Sequence, residues 1–229
     1  MIDQQSNPGA TPPPQRLPWL KLMAPLLVLL VLVSGLSYLL LGRSAGSTLP
    51  GGAGQSGSAS GYYGTLALPI RQAPPIRLRN YLGQPVTLAQ YRGRAVLVTF
   101  LYTNCPDVCP LIASNLRVAL RMLGPGAARA QVIAISVDPR GDTPGAVARF
   151  LREHGMTGRM QYLIGSAPEL ARTWSAWGVG STRDAGQPQL VSHSALVYGV
   201  SASGRLTTIY PATFEPAEIV HDVPRLARS

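Results

Sequence analysis

AVLVTFLYTNCPDVCPLIASNLRVALRMLG, residues 95–124, changes its period halfway along. Ala95–Thr103 is an unbroken β-branched and aromatic run, which reads as a strand buried on both faces. From Cys109 to Gly124 the apolar residues Ile112, Leu116, Ala119, Leu120 and Leu123 recur at helical spacing, and Gly124-Pro125 stops the helix. A buried strand thus feeds a helix through a turn that carries two cysteines. In open α/β sheets, sites form at the carboxyl ends of strands.

The rest of the chain extends this unit. Gln131–Val137 is a second buried strand. Asp142 or Thr143 caps a helix that has Pro144 in its first turn and ends at His154-Gly155. Met160–Gly165 is a third strand, and the Ser166 to Glu169 spacing of a capping box opens a helix through Trp174 and Trp177. Ser194–Val200 and Arg205–Pro211 form a hairpin around Ser203-Gly204. Glu215–Ala227 is a final helix, with Pro224 as a candidate break. Upstream, Val86–Tyr91 is a short strand after the Gly83-Gln84-Pro85 turn. Strands alternating with helices predict a parallel core sheet to which the hairpin adds antiparallel strands. The fold class expected is therefore α/β, a thioredoxin-like fold with an N-terminal extension and an inserted β-α unit. Residues 65–229 are long enough to bury its core.

The amino-terminal part has a different character. Residues 1–18 are polar and proline-rich, a tail expected to be disordered. Residues 19–41 are the expected transmembrane anchor. Leu22–Leu41 carries no charge over 20 residues, close to the ~20 that cross a bilayer as a helix. Trp19 and Tyr38 sit near its ends, as interfacial aromatics do. Arg16 and Lys21 before the span, against Arg43 after it, favour a cytoplasmic amino terminus. Arg43 also spoils the best signal-peptidase site, which would end at Ala45. Residues 42–64, with eight glycines and five serines, are a linker of roughly 26 Å average reach. The expected location is the inner (cytoplasmic) membrane, single-pass, with the globular head on the periplasmic side.

Charge narrows the partners. Twenty Lys+Arg against ten Asp+Glu give +10, and from Thr65 onward 17 arginines face nine acids. The arginines are dispersed, without a basic run or interleaved aromatics, which argues against nucleic acid. An anionic membrane surface or an acidic partner fits better.

The chemistry rests on the only two cysteines, Cys105 and Cys109. A helix start lowers thiol pKa through its free N–H groups and partial positive charge. On a helix, i and i+4 lie about 5–6 Å apart at Cβ, which suits a shared metal ion or a disulfide. A three-residue disulfide loop stabilises little, so a static bridge is a poor explanation. A metal needs a third ligand. His154 reads as a residue at a helix end, and His221 as a partly exposed side chain of the last helix. His193 precedes a core strand, and in a thioredoxin-like fold that loop faces the start of the first helix. Cys105, Cys109 and His193 are therefore the candidate metal ligands. Two thiolates and one imidazole favour copper: thiolate selects Cu(I), and imidazole suits Cu(I) and Cu(II). Structural zinc would want a fourth protein ligand, for which Asp107 is the nearest oxygen donor.

Thr103-x-Cys105-Pro106-Asp107-Val108-Cys109-Pro110, then Ser136-Val-Asp138-Pro139-x-x-Asp142-Thr143, then His193, closely resembles the SCO/SenC family. Those proteins are membrane-anchored, thioredoxin-like copper proteins that help assemble cytochrome c oxidase. The resemblance runs from about Gly83 to Tyr210. It implies copper thiolates at Cys105 and Cys109, His193 as third ligand, and Asp107 beside the copper, tuning it. It also implies a turn and helix cap at Asp138 and Asp142. Two departures stand out: Ser192 where the family commonly has Asp, and Phe100-Leu-Tyr-Thr103 for the usual Phe-Gly-Phe-Thr. The implied role is a metallochaperone that receives copper from a donor protein and delivers it to an oxidase subunit, most naturally the subunit II copper centre. The alternative is a thiol-disulfide oxidoreductase with Cys105 and Cys109 as the redox pair, reducing the subunit's cysteines before metallation. Against it, such enzymes normally place two residues between their cysteines and a cis-proline opposite them, where this chain has Ser192-His193. A peroxidase of the same fold would want one strongly activated cysteine.

Overall fold

The computed structural model describes residues 61–183 and 191–229. The expected tail, the anchor and all of the linker before Gly61 lie outside the described residues. Among the described residues no helix is long and apolar enough to cross a membrane.

Among the described residues eight strands form one sheet in the order β1-β10-β9-β4-β5-β6-β2-β3. They are β1 (Thr65–Gln72), β2 (Arg77–Asn80), β3 (Pro85–Thr87), β4 (Ala95–Leu101), β5 (Ala130–Ser136), β6 (Met160–Ile164), β9 (Leu196–Val200) and β10 (Arg205–Pro211). The strands β7 (Ser181–Arg183) and β8 (Val191–His193) pair as a separate ribbon. The helices are α1 (Val108–Met122), α2 (Pro144–Glu153), α3 (Ala167–Trp177) and α4 (Pro216–Leu226). β4, β5 and β6 are parallel, and the remaining pairs are antiparallel. This is the expected α/β architecture, with β1–β3 as its N-terminal extension.

β4 is central because every one of its residues is apolar or threonine, and all seven are buried. α1 buries Ile112, Leu116, Ala119 and Leu120, the stripe legible in the sequence, and packs against α4, which also touches β4. Full burial of a leucine or isoleucine of this kind contributes about 1.5–3 kcal/mol. The capping predictions are met at two helices. Thr143 accepts the Ala146 N–H (3.2 Å), and Glu169 accepts the Ser166 N–H (2.9 Å).

Some boundaries differ from the sequence expectation. Val86–Tyr91 is not one strand: after Thr87 the chain turns into a 3-10 helix over Leu88–Tyr91, and the Thr87 N–H goes to the Gln90 side chain (3.2 Å). Pro224 does not break α4. It costs one backbone hydrogen bond, close to the helix end, while Ile219, Val223 and Leu226 keep the helix packed. The entry of the chain into the head is pinned by the buried Asp222. Its carboxylate accepts the Gly64 N–H (2.9 Å) and the Tyr210 hydroxyl (2.8 Å).

Candidate metal centre

The turn from β4 to α1 sets the sulfurs. Cys105 precedes Pro106, and a residue before proline is kept out of the helical region by the ring. Cys105 therefore lies in the turn, with its N–H on the Tyr102 carbonyl (3.3 Å). α1 starts two residues past the proline, behind Asp107, whose carboxylate accepts the Val108 N–H. Pro110 costs nothing there, since the first N–H groups of a helix have no partner within it. One of those free donors, the Cys109 N–H, points at Cys105 Sγ (3.3 Å). This corrects the picture of two cysteines sharing a helical face. Cys105 caps the helix from outside, and Cys109 belongs to its first turn. Both thiols are free and buried.

His193 ends β8 and faces Ser181 of β7; it is the end of a short strand rather than a loop residue. Its Nε2 lies 3.8 Å from Cys109 Sγ. The other ring nitrogen, Nδ1, is 3.2 Å from the Ser194 carbonyl. With Nδ1–H donating to that carbonyl, Nε2 presents a lone pair toward the sulfur, the tautomer a metal ligand needs. The Tyr102 ring meets the imidazole edge-on at 5.8 Å. Two donors at roughly 2.3 Å and 2.0 Å from one ion, about 120° apart, would themselves be about 3.7 Å apart. The sulfur–nitrogen spacing matches that figure. Among the described residues no three His, Cys, Asp or Glu side chains are grouped closely enough to hold a metal ion together. Cys105 is reached from this pair through the Cys109 N–H.

The two thiols differ electrically. Cys105 is lowered to about 6, first by the hydrogen bond from the Cys109 side chain, against the cost of burial. The Asp107 and Cys109 N–H groups and the Tyr102 hydroxyl add to the lowering. Cys109 is pushed far up, by its hydrogen bond to Cys105 and then by burial. The negative charge thus sits on Cys105 and the proton on Cys109. Burial lowers His193, opposed by the Ser194 carbonyl, so its ring is neutral at neutral pH.

Asp107 lies with one oxygen 3.9 Å from Cys105 Sγ. Asp138 accepts the Arg140 N–H (3.2 Å) in the turn after β5. Asp142 is not the cap of α2, a place Thr143 takes. Its buried carboxylate accepts the Thr103 N–H (2.8 Å), the Ser136 hydroxyl (2.6 Å) and the Tyr162 hydroxyl (2.9 Å). It thereby ties the cysteine turn to β5 and β6, and burial raises its pKa despite these bonds. The other histidines stand apart. His154 follows the last turn of α2 against Phe150 (4.4 Å). His221 stacks on Tyr63 (3.8 Å) and bonds Asp222 (2.7 Å). A cavity of about 310 Å³, lined by Tyr102, Cys105, Asp107, Val191 and His193 among others, opens the site to solvent.

Sequence reasoning missed three contributors. The Ser194 carbonyl leaves no side-chain signal. Tyr102 was visible only as a departure from the family's usual phenylalanine. Asp142 carried the signal of a cap, which its burial overrides.

A family model described as SCO1/SenC matches residues 69–228. The Bos taurus protein called "Protein SCO2 homolog, mitochondrial" is 32% identical over 153 residues, 65% of this chain and 57% of that one. The chain thus spans less than two thirds of that relative's length. Among solved structures, apo Sco1 from Thermus thermophilus has 32% identity and a TM-score of 0.62, covering 72% of this chain and 96% of that one. Bradyrhizobium japonicum ScoI with copper bound has 29% identity and a TM-score of 0.59, covering 68% of this chain and 99% of that one.

Proposed function

The chain belongs to the SCO1/SenC family, and from that premise we propose that it binds copper through Cys105, Cys109 and His193 and delivers it to a cytochrome c oxidase subunit during assembly of that enzyme. The observation that carries this reading is the 3.8 Å approach of His193 Nε2 to Cys109 Sγ. It joins a residue of the β7–β8 ribbon to one 84 positions earlier. Copper is cargo here. Thiolate sulfur and imidazole suit Cu(I); the Cys105 thiolate and the neutral His193 ring are ready donors, and Cys109 gives up its proton when the ion binds. An acceptor thiolate entering from the open cavity can add before a donor of this site leaves. The acceptor we propose is the subunit II copper centre. The same proposal places Leu22–Leu41 in the inner membrane with the head on its periplasmic side, supported by the uncharged 20-residue stretch.

A second reading has its own support. A free dithiol with one thiol at about 6 is poised to attack a disulfide. In that case the chain reduces the acceptor's cysteines before copper arrives.

Copper titration and disulfide-reductase assays on the full chain and three variants separate the two. The metallochaperone holds about one copper per chain, and Cys105→Ala, Cys109→Ala and His193→Ala each weaken retention against a competing chelator. Undiminished retention in His193→Ala removes the ligand assignment. Reductase turnover that needs both cysteines but not His193 favours the second reading.

A further inference from the structure

A cavity larger than the one at the cysteine turn is lined by neither of the sulfurs. It has a volume of about 650 Å³, against about 310 Å³ at the cysteine turn. It opens between the β2–β3 hairpin and the loops that follow β5 and β6, at the carboxyl ends of two parallel strands. Open α/β sheets bind ligands there, and the volume falls in the roughly 300–1,000 Å³ range of small-molecule sites.

Its wall is apolar: Leu78, Val86, Pro139, Pro144 and Ile164. Two exposed arginines of β2, Arg77 and Arg79, line it as well. Arg79 donates to the Gly83 carbonyl (2.7 Å), and neither guanidinium is in an ion pair among the described residues. An adjoining hollow shares Arg77 and adds Arg172. The two acids of the wall are already engaged. Glu169 accepts from the Ser166 N–H (2.9 Å) and hydroxyl (2.6 Å), and Asp142 is held by Thr103, Ser136 and Tyr162. The cavity rim thus carries two guanidinium groups, with Arg172 in the adjoining hollow, against the charge of Glu169, which also interacts with Arg172 and Arg79, and the buried Asp142, beside an apolar surface. Strand addition at the neighbouring sheet edge is blocked. In β3, Pro85 has no N–H and the Thr87 N–H is taken by Gln90.

We propose that this cavity is a second binding site, for a small amphipathic anion whose carboxylate or phosphate is held by Arg77 and Arg79 while its apolar body lies against Leu78, Val86 and Ile164. Guanidinium groups match such anions in a bidentate fork. The site shares no residue with Cys105, Cys109 and His193, so it stands or falls independently of the copper reading.

The probe is 1-naphthyl phosphate, followed by its fluorescence on the full chain in nanodiscs of zwitterionic lipid. One molecule binds per chain, more tightly than inorganic phosphate and much more tightly than naphthylmethylammonium. Arg77→Gln with Arg79→Gln weakens it at least about tenfold, the loss expected for two charge-assisted hydrogen bonds. Arg121→Gln with Arg152→Gln removes the same charge from α1 and α2, outside the cavity, and leaves binding within about twofold. Equal losses in the two double variants, or no saturable binding, overturn the proposal. Nanodiscs containing anionic phospholipid identify the source. Displacement of the probe marks a lipid headgroup as the natural ligand, and undisturbed binding marks a soluble anion; both support the site. Copper retention measured on the same variants stays unchanged, which keeps this result separate from the fate of the copper reading.

Discussion

Replacing Cys109 by alanine should raise the pKa of Cys105 while leaving its surroundings folded. The largest cause of the Cys105 value of about 6 is the hydrogen bond from the Cys109 side chain. A hydrogen bond to a charged acceptor contributes about 1.5–3 kcal/mol, and 1.36 kcal/mol corresponds to one pKa unit. Its loss should move the Cys105 midpoint up by about 1–2 units, to roughly 7–8. The backbone N–H groups and the Tyr102 hydroxyl hold it below the ordinary thiol value. Cys109→Ser keeps a donor and should retain most of the lowering. The assay is the pH dependence of alkylation, with mass spectrometry confirming a single adduct on Cys105, since Cys109 stays protonated. An unshifted midpoint in Cys109→Ala, or a wild-type midpoint near 9, refutes the charge assignment. Stability carries the same signature. A thiol lowered from 9.0 to about 6 binds fewer protons folded than unfolded between those values. Its contribution is therefore full above the unfolded value, and it is lost as pH falls through about 6. Alanine at 109 should narrow that window from its acid side.

Asp142→Asn should destabilise the chain by about 1–3 kcal/mol, because an amide cannot accept three hydrogen bonds as a carboxylate does. Urea unfolding measures it, and copper retention should weaken as well, since the Thr103 N–H loses its anchor. Tyr102→Phe restores the residue usual in the family and should leave stability within about 1 kcal/mol. It should raise the Cys105 alkylation midpoint by less than Cys109→Ala does. A midpoint that does not move would remove the hydroxyl from the site.

The core of the fold was legible because β4, β5, β6 and α1 obey simple periods: unbroken apolar runs for buried strands and a helical stripe for α1. β1 and β2 escaped notice. β1 alternates weakly, with five of its eight residues exposed, and β2 is four residues long. The ribbon β7–β8 has three residues in each strand, too few to show any period. At the site, residue types pointed to Cys105, Cys109 and His193, because sulfur and imidazole are scarce in this chain. What the types could not show is backbone placement. Pro106 expels Cys105 from the helix, and a carbonyl chooses the tautomer of His193.

The imidazole and the sulfurs belong to different mechanical parts. Cys109 sits in the first turn of a helix packed into the core against α4, while His193 rides a six-residue ribbon outside the eight-stranded sheet. Gentle warming or low denaturant should loosen that ribbon before the core melts. The nitrogen arm would then swing away while the sulfur seat stays intact, so losing the imidazole need not be an unfolding event. A partner docking against the ribbon would have the same leverage without any heating: it could unlatch one side of the clasp without touching the other.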